Sequence, residues 1–383
     1  MLIAIGRRVS FPLAWLFAIT GLAWAQTPTP ARGVMTPPIF GTTPTTSLRQ
    51  SEIPNGVPAP PAIPPIPALR NPLTVKPKSV FGGHSIHGDG TTDDTAGIQA
   101  ALNASDIIVA PATYAIAGNV SIPTGRNISC QSGAIFFDTQ SKGTRMFQIG
   151  YGDPSSNGNN SIVGCTFQGT DTAKDYSTYR GGNSGYSELL EISTGGQHTD
   201  DVLIQNNTFL NAQGDSVLTY SPCGMANNGS GPCNGGAPGT EGPSNIFIVN
   251  NTVNHCAQPG IHLNGGQGLV VKGNILTDCS GDDEADSNVL QIMTSWWYDN
   301  KFTTQYGTLD ALNGQIVGPE HSCTGNDLIP ENDGGCWSFN NVIDGVSSGG
   351  FPGVLHEPSG CAGGGGHYVN ESLTNGAQLR TGC

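Results

Sequence analysis

The chain has 383 residues, is rich in glycine (55) and proline (27), and carries 15 Lys and Arg against 29 Asp and Glu, a formal net charge of −14 at pH 7. From Val80 onward the imbalance is steeper, with 8 Lys and Arg against 28 Asp and Glu. Such an acidic surface repels nucleic acid and anionic membranes, so we expect neither as a partner. It also disfavours an acidic polysaccharide, unless calcium bridges the two or the few basic residues cluster.

The first 25 residues have the pattern of an export signal. Arg7 and Arg8 form a basic start, an apolar run extends from Phe11 to Ala23, and an Ala-Trp-Ala sequence precedes Gln26. The apolar run is too short for a membrane anchor and lacks a stop-transfer flank. We therefore predict a signal peptide over residues 1–25, no membrane insertion, and a secreted or periplasmic protein.

Residues 26–78 form a proline-rich segment that holds 14 of the 27 prolines, with little charge and few aromatic residues. Such a composition favours extended, polyproline-like conformations and buries little. We predict a disordered linker over 26–78 and a folded domain over 79–383.

The folded domain begins with the one strong helix signal of the chain. Thr95 to Asn103 carries an apolar stripe at helical spacing, and either Asp93 or Asp94 can cap its start. Beyond it, short runs of β-branched residues between Gly, Asn, Ser and Thr favour many short strands.

A repeat runs through the rest of the chain. Its pattern is an apolar residue, two variable positions, Asn, one variable position and a second apolar residue, with Cys165 in place of the first Asn and Ser338 in place of one apolar residue. The six segments are Ile162–Phe167, Ile204–Phe209, Ile248–Val253, Val271–Leu276, Trp297–Phe302 and Ser338–Ile343. Their Asn positions are 42, 44, 23, 26 and 41 residues apart. A period in the low twenties fits one coil of a β-helix, and the longer steps fit either a coil with an inserted loop or two coils.

The repeat predicts a buried ladder of asparagines, one on each coil, stacked at about 4.8 Å. These residues are Asn207, Asn251, Asn274, Asn300 and Asn341. We interpret them as structural.

The ten cysteines favour disulfides over a metal site in an exported protein. Two of them, Cys256 and Cys279, each follow a ladder asparagine by five residues, so they are expected to stack within bonding distance. Four other cysteines are predicted to close local loops, as the pairs Cys223–Cys233 and Cys323–Cys336. The pairs Cys130–Cys165 and Cys361–Cys383 complete the set, although sequence alone leaves the connectivity open.

The segment Gly88–Leu102, Gly-Asp-Gly-Thr-Thr-Asp-Asp-Thr-Ala-Gly-Ile-Gln-Ala-Ala-Leu, resembles the entry motif of the pectate-lyase-like (rhamnogalacturonase/epimerase-like) superfamily. The resemblance extends closely from Val80 to Gly133. It implies an all-β, right-handed parallel β-helix whose N-terminal end is covered by a short helix. It also implies a polysaccharide partner, with a pectin-type substrate favoured, although the superfamily includes hydrolases, lyases, epimerases and surface proteins.

Asp215, His262 and Asp282 are the predicted catalytic residues. Asp215 and Asp282 each lie eight residues after a ladder asparagine, which places them on one face, two coils and about 10 Å apart. His262, between two inward aliphatic residues, is expected to point outward on the intervening coil. A histidine between two carboxylates can act as, or tune, a general acid.

Two stretches around these residues resemble strands of polygalacturonase-type hydrolases, but both depart from that pattern. Ser216 replaces the second Asp of one motif, and Pro259 replaces the His of the other. A structural Asp that caps its own turn and an ordinary exposed His remain alternatives for Asp215 and His262.

The acidic cluster Asp282, Asp283 and Asp286, with Glu284, offers hard oxygen ligands, so calcium is the candidate cofactor; a solvated acidic turn is the alternative. The predicted substrate-binding residues are Glu191, Gln291, Trp296 and Tyr298. Trp296 and Tyr298 are expected to be exposed for stacking on sugars, whereas Trp297 falls in the apolar row.

Two main functions remain open from the sequence, beside a third interpretation as a purely structural surface or appendage component. The first is an exported glycoside hydrolase or polysaccharide lyase acting in a groove on the outer face of the coils. The second is a non-catalytic, glycan-binding or adhesin-like surface protein, which the altered hydrolase motifs favour.

Overall fold

The computed structural model describes residues 52–139, 145–150, 158–172, 188–193, 199–220, 243–264, 266–279, 283–285, 293–304, 308–309, 316–317, 320–322, 335–345, 354–357 and 366–381. All of them belong to one compact unit, Pro38–Cys383. No helix among these residues is long and apolar enough to cross a membrane.

Nearly every regular element is a strand of two to seven residues. In chain order the elements up to the middle of the chain are β1 (Leu73–Val75), β2 (Val80–Phe81), β3 (His84–Ser85), β4 (Asp89–Asp93), α1 (Thr95–Ala104), β5 (Ile107–Val109), β6 (Ala112–Ile116), β7 (Val120–Ile122), β8 (Asn127–Cys130), β9 (Ala134–Asp138), β10 (Arg145–Ile149), β11 (Gly158–Val163), β12 (Thr166–Gln168), β13 (Glu188–Ser193), β14 (Asp200–Gln205), β15 (Thr208–Ala212) and β16 (Val217–Tyr220). The remaining elements are β17 (Ser244–Val249), β18 (Thr252–Cys256), β19 (Ile261–Asn264), β20 (Gly266–Lys272), β21 (Ile275–Cys279), β22 (Asp283–Ala285), β23 (Met293–Tyr298), β24 (Lys301–Thr303), β25 (Thr308–Leu309), β26 (Ile316–Val317), β27 (Glu320–Ser322), β28 (Gly335–Phe339), β29 (Val342–Asp344), β30 (Val354–Glu357), β31 (Gly366–Val369), β32 (Ser372–Thr374) and β33 (Gln378–Thr381).

Three long sheets wind through the described part of the chain. The first has the strand order β1-β5-β8-β11-β14-β17-β20-β23-β28-β31, the second β7-β10-β13-β16-β19-β22-β27-β30-β33, and the third β4-β6-β9-β12-β15-β18-β21-β24-β29-β32. Every third strand therefore joins the same sheet, and the paired neighbours are parallel, as in β11 with β14 and β14 with β17. This winding confirms the predicted parallel β-helix.

The coils enclose one continuous apolar core because aliphatic and aromatic residues recur at matching registers. Phe136, Phe167 and Phe209 stack on successive coils of the third sheet, with the last two rings 5.1 Å apart and nearly parallel. Each coil thus buries its side chains against the coils above and below, a contact that a single repeat could not make alone.

The asparagine ladder is confirmed. Asn274 shows the repeating unit: its backbone N–H donates to Asn300 Oδ1 at 2.9 Å, and its side-chain amide donates to Asn300 Oδ1 at 3.0 Å and to the Ile248 carbonyl at 2.9 Å. The Asn251 N–H in turn donates to Asn274 Oδ1 at 2.8 Å. Hydrogen bonds therefore satisfy this buried polar row from one coil to the next.

Both ends of the ladder are closed by other residues. At one end the Cys165 N–H donates to Asn207 Oδ1 at 2.9 Å. At the other end Glu371 accepts the Asn341 N–H at 2.8 Å and the hydroxyl of Ser338. Ser338, which interrupts the apolar pattern, is therefore part of the ladder's terminus.

Two of the predicted disulfides lie within the described residues and both are present. Cys130 bonds to Cys165 and Cys256 bonds to Cys279, with Cα–Cα distances of 4.8 and 4.4 Å. Cys336 is also disulfide-bonded. The predicted partner Cys323, the pair Cys223–Cys233 and the pair Cys361–Cys383 lie outside the described residues.

Helix α1 packs on the first coils through Ile98, Ala101 and Leu102, which are fully buried in the main core. Asp93 Oδ1 accepts the Thr95 N–H at 2.9 Å, while Asp94 turns back to accept the His87 and Gly88 N–H groups. Of the two predicted caps, Asp94 occupies the N-cap position but makes no side-chain capping hydrogen bond, because its carboxylate fixes the loop that precedes β4. Asp93 instead binds the N–H of the first helical residue.

The proline-rich segment differs from its prediction, because residues 52–78 are packed on the domain. We call residues 52–67 the N-terminal strap. Its Ile53, Val57 and Ile63 are buried in a second apolar cluster on the outside of the first sheet, and the Trp296 Nε1–H donates to the Pro58 carbonyl at 3.1 Å. The strap is held because its few apolar residues meet outward-facing aromatic side chains, so the packed region begins by residue 52 instead of 79.

Candidate functional site

Four consecutive coils bring charged residues together along the second sheet. Strand pairing places Arg145 opposite Glu188, and it places Gln148 opposite Glu191 on the same two strands. On the next coil the Leu189 N–H donates to the Asp215 carbonyl, so Asp215 lies beside Glu188. We call Arg145, Gln148, Glu188, Glu191, Asp215 and His262 the polar cluster.

Strand alternation explains why His262 belongs to this cluster. Val217 pairs with Ile261 in the core row, and Leu218 pairs with His262 in the adjacent row. Glu191 lies in the same outward row, opposite Leu218. The predicted outward orientation of Glu191 and His262 is therefore consistent with the register.

Asp215 and His262 are in direct contact. His262 Nδ1 lies 3.2 Å from Asp215 Oδ2, and only 4% of Asp215 is exposed. A carboxylate that contacts one imidazole nitrogen fixes the orientation of the ring. Asp215 is therefore more than a turn residue that caps its own backbone.

Arg145 forms an ion pair with one glutamate and lies close to a second. Its Nε donates to Glu191 Oε2, and the same atom lies 4.0 Å from Glu188 Oε2. Glu191 is fully buried and Glu188 is 5% exposed. Such buried carboxylates require a cationic partner, and Arg145 provides it from the edge of the cluster.

The environment of Glu188 makes it an acid near neutral pH. Burial is the main cause that raises the pKa of its carboxyl to about 7, and the nearby Asp215 carboxylate adds to the increase. Arg145 and His262 act in the opposite direction but do not cancel these effects. Glu188 can thus hold a proton near pH 7, whereas an ordinary glutamate would have lost it.

Three polar atoms of the cluster are buried without a hydrogen-bond partner. They are Gln148 Nε2, Glu191 Oε1 and Asp215 Oδ1. Folded proteins pair almost all such atoms, so a buried donor and two buried acceptors left over on neighbouring coils indicate a place for a polar ligand or water.

Several predicted site residues lie elsewhere or outside the described part of the chain. Asp282, Asp286 and Gln291 lie outside it. For Asp283 only the backbone is described; it pairs with Ile261, and Glu284 pairs with His262. Within the described residues no group of three or more His, Cys, Asp or Glu side chains is arranged to hold a metal ion.

The predicted exposure of Trp296 and Tyr298 is wrong. They are only 5% and 2% exposed, because the N-terminal strap covers this face. Tyr298 also stacks on Phe339 with 4.9 Å between ring centroids. Trp297 is in the core, as expected.

Glu188, Arg145 and Gln148 were not predicted. All three precede Asn207, the first ladder asparagine, so counting from an asparagine could not assign their register. The available signal was the sequence Glu188-Leu-Leu-Glu191, two acidic residues in a strand otherwise rich in aliphatic residues. Buried glutamates are rare unless paired, which makes such a strand a candidate for a site.

The chain is similar in fold to several proteins of known structure. No protein-family model matches the chain, and no curated protein matches it. Among solved structures, the surface adhesin PfbA of Streptococcus pneumoniae is 11% identical over 79% of this chain and 91% of that chain, with a TM-score of 0.35.

Two further solved structures, both of glycan-cleaving proteins, have a similar sequence identity and TM-score. A 1,3-α-1,4-β-D-galactose-4-sulfate-3,6-anhydro-D-galactose-2-sulfate 4 galactohydrolase is 13% identical over 74% of this chain and 62% of that chain, with a TM-score of 0.39. The catalytic unit of an α-1,3-glucanase from Streptomyces thermodiastaticus is 12% identical over 82% and 69%, with a TM-score of 0.34. The chain therefore spans less than two thirds of the galactohydrolase. At these levels the comparisons concern the fold alone.

Proposed function

We propose that the protein is an exported glycoside hydrolase whose active site is the polar cluster. The observation that carries this proposal is the contrast between two neighbouring carboxyl groups, Glu188 and Asp215. Burial raises the pKa of Glu188 to about 7, and Asp215 contacts His262 and has a second oxygen without a hydrogen bond. Two carboxyl groups in different environments are what acid–base cleavage of a glycosidic bond requires.

The chemistry follows from those two environments. Protonated Glu188 donates its proton to the glycosidic oxygen as the bond from that oxygen to the anomeric carbon breaks. A water molecule adds to the anomeric carbon and loses its proton to Asp215 Oδ1. His262 holds the other oxygen of Asp215, so the accepting oxygen faces the site. Each product then carries a hydroxyl group where the bond had been.

A lyase is the other form of the glycan-active proposal, with the pectin-type substrate that the family resemblance implies. β-Elimination needs a base for the proton next to a uronate carboxylate, together with a cation that neutralises that carboxylate. In the polar cluster the one arginine is already bound by Glu191. The cluster therefore supports hydrolysis better than elimination.

An adhesin-like protein that binds glycan without cleaving it remains the alternative. The observation that favours it is the replacement of two hydrolase-motif positions by Ser216 and Pro259. Both functions use the outer face of the coils, so turnover is the property that separates them.

The test compares Glu188→Gln and Asp215→Asn with the unaltered full chain on a panel of neutral and acidic polysaccharides, with products analysed by mass. We expect each variant to lose about 10²–10⁴-fold in kcat, because each removes one proton-transfer group. Asp299→Asn is the matched control. Asp299 is exposed in the bend between β23 and β24, and asparagine tolerates its left-handed backbone.

The control should retain full activity, and all three variants should keep the circular dichroism spectrum of the folded, unaltered protein. Water-added products support a hydrolase, and products with an unsaturated end would overturn hydrolysis in favour of a lyase. Binding without any product would favour the adhesin-like alternative. Equal turnover by all variants would show that the reaction occurs elsewhere.

A further inference from the structure

The polar cluster also carries information on which class of sugar it accepts. We infer that the sugar bound there is neutral, neither a uronate nor a sulfated residue. This inference rests on the proposed function for the location of the site, but its evidence is different: the balance of charge in the cluster and the chemistry of its unpaired atoms.

The first step is the charge balance. Glu188, Glu191 and Asp215 contribute three carboxyl groups on two neighbouring coils. Within residues 145–150, 158–172, 188–193, 199–220 and 243–264, the described parts of the surrounding coils, Arg145 is the single Lys or Arg. Even with Glu188 holding its proton near pH 7, the acidic groups Glu191 and Asp215 still outnumber Arg145, so the cluster offers no net positive charge to an anionic sugar.

The second step is that this one cation is already engaged. Arg145 Nε donates to Glu191 Oε2, and the same atom lies near Glu188. Anionic sugars are normally held by arginine forks or lysines, which match carboxylate and sulfate oxygens. On the next coil after His262, Lys272 lies over the ring of Tyr298, 5.2 Å from its centre, on a different sheet.

The third step is the chemistry of the unpaired atoms. Gln148 Nε2 can donate a hydrogen bond, while Glu191 Oε1 and Asp215 Oδ1 can accept one, and their residues are at least 95% buried. A sugar hydroxyl group both donates and accepts, so adjacent hydroxyls of a neutral sugar can satisfy all three atoms. A carboxylate or sulfate only accepts, and it would leave the two carboxylate oxygens unpaired and facing another negative charge.

A cation that bridges the cluster to an acidic sugar is the competing arrangement. The guanidinium group of Arg145 lies beside Glu188 and Glu191, where it would repel a divalent ion. Arg145 thus gives the cluster too little free positive charge to attract an anionic sugar. Its guanidinium group is nevertheless close enough to the glutamates to disfavour calcium binding.

The test uses pairs of polymers that differ only in charge. Polygalacturonate and alginate are each compared with their carboxyl-reduced forms, which keep the linkage but replace the uronate by a neutral sugar. Neutral glucans, galactans, xylans and mannans complete the panel. Cleavage is measured by product mass and binding by affinity electrophoresis, both with and without calcium and at 20 and 500 mM salt.

We expect at least a tenfold preference for neutral over uronate polymers in kcat/KM or in affinity at 20 mM salt. The preference should shrink at 500 mM salt, since salt screens the repulsion. Glu191→Gln should reduce the preference, because it removes one negative charge from the cluster, whereas Asp299→Asn removes the same charge elsewhere and should leave it unchanged.

Gln148→Ala provides a second variant in case Glu191→Gln fails to fold. It alters no charge, so it should weaken the neutral sugar, mainly through KM, without improving the uronate. Preferential cleavage of uronate polymers, with or without calcium, would overturn the neutral-sugar inference while leaving the hydrolase or lyase activity in place. Binding of neutral polymers without cleavage would support this inference and contradict the proposed hydrolysis. Neither binding nor cleavage of any polymer would overturn both.

Discussion

The asparagine ladder and the polar cluster are both rows of buried polar side chains on stacked coils, yet they differ in one respect. In the ladder each side-chain oxygen receives hydrogen bonds from the preceding coil, and Glu371 closes the end. In the polar cluster three atoms of Gln148, Glu191 and Asp215 have no partner. A row that satisfies itself stabilises the fold, whereas a row with unpaired atoms costs stability and is suited to binding something else.

The largest expected effect comes from breaking the ladder. Asn274→Ala removes the acceptor of the Asn251 N–H and the donor to the Ile248 carbonyl, both buried. We expect a loss of about 4 kcal/mol in the free energy of unfolding, since each buried group left unpaired costs about 1–3 kcal/mol. Urea denaturation measures it.

Asn254→Ala is the matched control for the ladder, because Asn254 is an exposed residue of the neighbouring strand β18. It should change the free energy of unfolding by less than about 0.5 kcal/mol. Equal losses of unfolding free energy in the two variants would mean that a buried ladder asparagine stabilises the fold no more than an exposed asparagine does.

The second effect is a pH dependence of stability that arises from Glu188. The pKa of this carboxyl is about 7 in the folded protein, against 4.5 for an ordinary glutamate. Below pH 4.5 both states are protonated. Between about pH 4.5 and 7 only the unfolded state loses the proton, so the free energy of unfolding falls, by about 3 kcal/mol in total, and then levels off.

Glu188→Gln isolates this contribution, because glutamine does not titrate. Urea denaturation at pH 4.5, 5.5, 6.5 and 7.5 should show the difference in stability between the variant and the unaltered protein increasing with pH in the variant's favour. A difference that does not depend on pH would contradict the raised pKa. Turnover of the unaltered protein should also fall as the pH rises above about 7, where Glu188 loses the proton it donates.

The smallest expected effect is at Ser216, which is 1% exposed and whose hydroxyl has no hydrogen-bond partner. Ser216→Ala removes a buried hydroxyl group that has lost its hydrogen bonds to water and makes none within the protein. We expect the free energy of unfolding to stay equal or to rise by up to about 1 kcal/mol, opposite in sign to the Asn274→Ala result. A clear loss of stability would show that the hydroxyl has a partner after all.

The sequence was sufficient for the fold because the repeat is local. Each coil carries its own Asn between two apolar residues, so the order of coils along the chain is also their order in space. The same regularity predicted that Cys256 and Cys279 meet, since each follows its asparagine by the same number of residues.

The site was only partly predictable, because some of its residues cannot be placed by counting along the chain from a ladder asparagine. Asp215 and His262 lie a short distance after a ladder asparagine and could be placed, but Glu188 follows a long insertion and its register emerged only from strand pairing. Trp296 and Tyr298 show another limit. Alternation predicted correctly that they face outward, but their cover comes from Pro58 and its neighbours, 238 residues away from Trp296 in the chain.

Because of that distance in the sequence, the N-terminal strap can make this contact only after the chain has been synthesised as far as Trp296. Residues 52–67 are made long before their partners on β23 and β28, so the contact between Pro58 and Trp296 can form only after most of the coils exist. A chain cut short before Trp296 would keep Leu203, Phe247, Val249 and Val270 of this apolar cluster but would lose its β23 and β28 members and the indole N–H that the Pro58 carbonyl accepts. The burial of the Trp296 indole therefore marks the moment at which the N-terminal strap docks on β23.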